Sequence, residues 1–175
     1  MPQRAIFLTV DLPQADKIDA IREQFDPLAG HVPPHITLVF PFDSEIPSED
    51  LIDLITESIE ETDFSYVEIS LCRAILIEGF CFFPIKTGRD EIIDLHDRLY
   101  STILEPYLAE EHDYVPHITV GRTDEEEMVE ALKKAADRVD LKKSGAVRSI
   151  ILERISDDTS SVTEFELNLR PDGSE

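Results

Sequence analysis

A chain of 175 residues with 42% hydrophobic residues suits one compact domain and is too apolar for general disorder. Its formal net charge of −22 disfavours a long nucleic acid or an acidic membrane as partner, because Lys and Arg hold both. Two cysteines are too few for a disulfide framework, and no apolar run is long enough to span a bilayer.

The first predicted element is a strand, Arg4 to Val10, bounded by Asp11 and Pro13. Asp11 interrupts the N-terminal apolar stretch too early for a secretory signal, so a cytoplasmic protein is expected. Ala15, Ile18, Ile21 and Phe25 recur at helical spacing. A loop rich in Pro and Gly runs from Asp26 to Pro34, and a strand from His35 to Phe40 is predicted to stop at Pro41. Ser48 is placed to cap a helix with Leu51, Leu54, Ile55 and Ile59 on one face. Phe64 to Ile77 and Phe80 to Lys86 read as paired strands turned at Glu78-Gly79. In that register Cys72 and Cys81 lie several rungs apart, as two buried thiols rather than a disulfide.

Asp90 to about Leu104 reads as a helix, and a loop ending in Pro116 leads to a strand from His117 to about Arg122. Asp124 to Val139 is a helix whose acidic start suits its dipole. Strands Ala146 to Ile155 and Val162 to Leu169 close the chain. The order is strand, helix, strand, helix, strand, repeated with one strand more. Paired strands at Glu78-Gly79 and at the C-terminus favour an α+β fold with antiparallel sheets over a parallel doubly wound one. The stretch from Asp43 to Asp63 has many acids and no Lys or Arg, which is the pattern of a solvated face.

Two tetrapeptides dominate this layout: His35-Ile36-Thr37-Leu38 and His117-Ile118-Thr119-Val120, each after a proline. On a strand, His and Thr two apart point to one face while the apolar residues point to the other. One copy is weak as a signal of chemistry; two copies at matched places are strong. Two imidazoles can serve as acid and base near neutral pH. Thr37 and Thr119 can donate to the non-bridging oxygens of a phosphate. Arg122 lies one odd step from the His/Thr face, and reaches a phosphate only if the strand bends or ends at Gly121; otherwise it forms a surface salt bridge. Phe40 and Tyr114 are candidates to contact substrate, with core packing as the alternative. His31 reads as a loop residue, His96 as the edge of the core and His112 as exposed. Neither motif His has a second ligand at zinc spacing, and no Gly-rich phosphate loop precedes a helix, so no metal and no cofactor are expected.

With these residues the chain resembles the two-histidine (2H) phosphoesterase superfamily, which includes the bacterial 2′–5′ RNA ligases. The opening Arg4-Ala5-Ile6-Phe7-Leu8-Thr9-Val10, Phe40 five after His35, and Arg122 five after His117 are similar to that family's pattern. Leu95 to Tyr100, leading to Tyr114-Val115-Pro116-His117, resembles a small bacterial branch of it. The resemblance implies a bilobal α+β fold. Two antiparallel sheets with pseudo-twofold symmetry would face a central cleft, with helices outside. It implies one domain over residues 1–175 made of two intertwined lobes, each giving one His-x-Thr strand. It implies a metal-independent hydrolase of 2′,3′-cyclic phosphate ends of RNA or of small cyclic nucleotides. The alternatives are 2′–5′ RNA ligation and a non-catalytic nucleotide- or RNA-end-binding module. The expected partner is a nucleotide or RNA terminus bound by a monomer, without a membrane.

Overall fold

The computed structural model describes residues 1–158 and 160–169. The strands are β1 (Gln3–Asp11), β2 (His35–Asp43), β3 (Glu68–Ile69), β4 (Ile75–Ile77), β5 (Phe80–Pro84), β6 (His117–Arg122), β7 (Gly145–Ile155) and β8 (Ser161–Asn168). The helices are α1 (Ala15–Phe25), α2 (Ser48–Glu61), α3 (Arg89–Leu99) and α4 (Glu126–Asp137). The strands lie in the order β3-β7-β1-β2-β6-β5-β4, with β8 also on β7, and every pairing is antiparallel.

This is the expected α+β class with helices on antiparallel strands. The two halves meet at a narrow waist. β1 and β2 share six registered pairs and β5 and β6 share five, but β2 and β6 share one, Ile36 opposite Ile118. The expected pair of sheets is therefore one open sheet of eight strands, pinched at its centre.

The helices cross that waist. α1 follows β1 yet packs on β6 and α4, while α3 follows β5 yet packs on β2 and α2. Each helix buries the apolar stripe its spacing predicts, Ile18, Ile21 and Phe25 on α1 and Ile92, Leu95 and Leu99 on α3. Buried side chains of both halves form one core cluster. Gly121 permits the close approach of α1, since a Cβ there would lie 2.5 Å from Phe25 Cβ and 3.0 Å from Leu132 Cδ1.

Four local expectations differ from the structure. The strand read over Phe64–Ile77 is broken, because its two parts serve different partners. β3 pairs with β7 in the first half and β4 with β5 in the second, and Leu71 bridges Ile85 between them. β2 runs past Pro41 to Asp43. Its register jumps from Ile6–Val39 to Arg4–Phe42, so Pro41 falls where no ladder N–H is needed. Ser48 is the first helical residue rather than the cap. Its hydroxyl accepts from Arg4 Nη2 at 2.9 Å and donates to Glu164 at 3.2 Å, joining a partly buried Arg4–Glu164 pair at 2.8 Å. α3 stops at Leu99, and turns with a short 3-10 helix at Glu105–Tyr107 carry the chain onward. The Glu78-Gly79 turn is as predicted, with φ of 50° and 82°, and both cysteines are free.

Gly121→Ala should destabilise the fold by about 1–3 kcal/mol, the usual range for overpacking a filled interior. A urea-denaturation midpoint unchanged by the substitution would show that α1 is not held against β6 by this contact.

Candidate active site

The two motif strands place their side chains alike. Along β2 and β6 the pattern of burial over the first six residues is identical: half-buried, buried, half-buried, buried, buried, exposed. Ile36 and Ile118 are fully buried and face each other across the waist. The strand period then turns His35, Thr37, His117 and Thr119 to the opposite face. The antiparallel register sets His35 beside Thr119 and Thr37 beside His117. All four residues expected to form the site thus share one face at the junction of the halves.

Both imidazoles are fixed in the same way. His35 Nδ1 lies 2.8 Å from the Pro33 carbonyl, and His117 Nδ1 lies 2.7 Å from the Val115 carbonyl. A carbonyl only accepts, so each Nδ1 carries hydrogen and each Nε2 is left for a ligand. A phenylalanine on the neighbouring strand seats each ring. Phe7 packs on His35 with centroids 5.0 Å apart, and Phe82 packs on His117 at 4.7 Å. Phe7 stands opposite Thr37, and Phe82 opposite Thr119. Neither phenylalanine was singled out from the sequence. Each lies in an apolar run, and register alone gives it this place.

A bulge follows each motif. Phe7 pairs with Thr37 and Ile6 with Val39, which leaves Leu38 extra; Phe82 pairs with Thr119 and Cys81 with Gly121, which leaves Val120 extra. Two consecutive residues therefore face the core, and the alternation changes phase. Phe40 and Arg122 return to the His/Thr face. Arg122 is exposed, its guanidinium lies 5.9 Å from the centre of the Phe80 ring, and it forms no ion pair among the described residues. Phe40 is 48% exposed at the matching place.

One buried and one partly buried group hold the motif loops. Arg22 of α1 is 2% exposed; its Nε donates to Asp26 at 2.9 Å and its Nη2 to the Val32 carbonyl at 2.6 Å. It anchors the loop whose Pro33 carbonyl orients His35. Arg22 follows Ile21 on the buried stripe, and Asp26 four residues on is the one trace of its role in the sequence. In the second half Tyr114 donates its hydroxyl to the Thr37 carbonyl at 2.8 Å and stacks on His96 at 3.7 Å, with the rings 2° from parallel. Burial pushes the Tyr114 phenol well above its ordinary value. Its hydroxyl is thus committed to the backbone of β2. His96 is 5% exposed and bonds Asp97 at 2.9 Å. His31 and His112 are exposed.

Burial pushes His35 below the ordinary imidazole value. Its bond to Pro33 and the charge of Asp26 work against that, and the charges of Arg22 and His117 add to the lowering. Among the described residues no group of three or more His, Cys, Asp or Glu is placed to hold a metal ion, and no helix is long and apolar enough to cross a membrane.

A family model of the 2′-5′ RNA ligase superfamily matches residues 10–159. A protein of Bacillus licheniformis named "Putative phosphoesterase" is 28% identical over 114 residues, 61% of this chain and 63% of its own length. One of the same name from Bacillus pumilus is 30% identical over 115 residues, covering 61% and 62%. The match therefore spans less than two thirds of these relatives. Among solved structures, E. coli LigT complexed with 3′-AMP has a TM-score of 0.59 at 19% identity, covering 98% of this chain and all of that one. Kluyveromyces marxianus Usb1 has a TM-score of 0.52 at 15% identity, covering 92% and 96%. The chain belongs to the 2′-5′ RNA ligase superfamily of two-histidine phosphoesterases.

Two predictions follow from the histidine and tyrosine environments. His35 and His96 are both pushed below 6.5, each chiefly by burial. The unfolded chain then takes up protons that the folded chain resists, so stability is full above about 6.5 and falls as pH drops below it. Denaturation midpoints from pH 7.5 to 5.5 should decline, and His96→Asn should flatten the slope; a level profile in the parent protein would contradict the assignment. Tyr114→Phe removes one hydrogen bond and keeps the stack on His96. It should cost roughly 0.5–1.5 kcal/mol by the same measurement, and Tyr114→Leu should cost more.

Proposed function

We propose that the chain is a metal-independent phosphoesterase that hydrolyses 2′,3′-cyclic phosphates of nucleotides or short RNA ends. One observation carries this reading: two imidazoles, each with Nδ1 fixed and Nε2 free, share a face with two threonines. Burial favours neutral His35, which suits it to act as base. Its Nε2 takes a proton from water as the water oxygen bonds to phosphorus. The bond from phosphorus to one ribose oxygen breaks, and Nε2–H of His117 protonates that oxygen. The products are a phosphomonoester and a free ribose hydroxyl.

Thr37 and Thr119 donate to the non-bridging oxygens as charge gathers on them. Arg122 offsets the phosphate charge from the rim, and Phe40 lines the opposite rim, against the sugar. Tyr114, with its hydroxyl on Thr37, serves by positioning that strand rather than by touching substrate. The fold supports a nucleotide ligand, since E. coli LigT has been crystallised with 3′-AMP, ATP and NADP+. The charge of −22 favours a short substrate over long RNA. The crossing helices and shared core support one domain of two intertwined lobes. Two free thiols agree with the cytoplasm.

His35→Ala and His117→Ala should each lower kcat/KM on 2′,3′-cyclic nucleotides by on the order of 10²–10⁴, and excess chelator should leave the parent rate intact. Undiminished turnover by the double variant would sink the mechanism. Joined product from RNA halves would assign the reverse, 2′–5′ ligating direction, and binding without turnover across a pH series would assign a binding module.

A further inference from the structure

The two halves match closely at the motifs and diverge next to them. In the second half, β5 turns Phe80 and Phe82 to the His117 face, and β4 sets Ile77 opposite Phe80 and Ile75 opposite Phe82. Cys81 and Leu76, on the other face, pack into the core. Phe80, Ile77 and Ile75 are 45%, 54% and 41% exposed. Together they form an open apolar surface beside Arg122. The matching places in the first half hold Ala5, Glu153 and Ile151, and there Ala5 and Glu153 are buried. The exposed platform belongs to one half alone.

We propose that this platform of Phe80, Ile77 and Ile75, flanked by Arg122, is the subsite for the nucleobase of the bound nucleotide. The proposal rests on the reading that the phosphate lies between the two motifs. Phe80 is two residues along β5 from Phe82, whose ring touches His117, a rise of about 6.6 Å. A ribose bridges that span from the phosphate to its base. An aromatic ring beside a guanidinium offers stacking surface to any base. The four apolar side chains of this face carry no hydrogen-bonding group, so the platform reads the presence of a base and not its identity. A second copy of the chain is a poor occupant, because β4 is three residues long and each copy carries a charge of −22.

The test compares adenosine 3′-phosphate with methyl ribofuranoside 3-phosphate by calorimetric titration of the full chain. The parent protein should bind the nucleotide about 5- to 150-fold more tightly. Uridine 3′-phosphate should resemble the adenosine compound more than the sugar phosphate. Phe80→Ala and the more exposed Ile77→Ser should each bring the ratio of the two affinities towards one, and two variants guard against a folding defect in either. Equal binding of both ligands by the parent, or a ratio that neither variant changes, overturns the platform alone. Failure of both ligands to bind removes the phosphate reading and this one with it. A concentration-dependent dimer lost in either variant would assign the face to a second copy instead.

Discussion

Ile36 and Ile118 are fully buried and oppose each other where the two halves of the sheet touch. Both His-x-Thr pairs of the candidate site take their direction from that contact. A strand alternates faces with a period of two, so burying these isoleucines turns both His-x-Thr pairs outward together. A slip of one residue in either strand would bury one imidazole and expose one isoleucine. The apolar contact and the polar site are thus two sides of one register. Tyr114 adds a second tie, because its hydroxyl joins the loop before His117 to the backbone of Thr37.

The bulges explain how a short strand serves two ranges. Strict alternation would send the fifth residue after each histidine towards the core. An extra residue at Leu38 and at Val120 changes the phase and returns Phe40 and Arg122 to the His/Thr face. Gly121 matters here for a different reason. It occupies the core-facing place that Val39 fills in the first half, and its missing side chain admits Phe25 of α1. Helix packing and rim geometry are therefore linked at one position.

Much of this was legible in the sequence, and the remainder has a physical reason for being hidden. Helical spacing marked α1 and α2, and the alternation of His35 with Thr37 marked the shared face. The bulges left a trace only as paired apolar residues, Leu38-Val39 and Val120-Gly121, which a continuous buried strand would also show. The seats of the imidazoles, Phe7 and Phe82, depend on cross-strand register between distant segments. Arg22 reads as a surface cation on a helix until the loop from Asp26 to Val32 folds over it. The break in the strand read over Phe64–Ile77 was hidden because its apolar run is continuous while its partners are not.

Two like motifs need unlike roles if they are to act as acid and base. The backbone geometry gives no such distinction, since both rings donate Nδ1–H to the carbonyl two residues earlier. The difference comes from what backs each loop. The first loop folds over a buried cation, Arg22, whose charge adds to burial in lowering the His35 pKa, while the Pro33 carbonyl and Asp26 oppose it. The second rests on an uncharged phenol stacked on His96. The asymmetry continues outward, as Phe40 stands against Arg122, and Ala5 and Glu153 against Phe80 and Ile77. A pseudo-symmetric pair of strands thereby gains a direction, with the buried cation Arg22 behind the half that carries His35 and the exposed apolar platform in the half that carries His117.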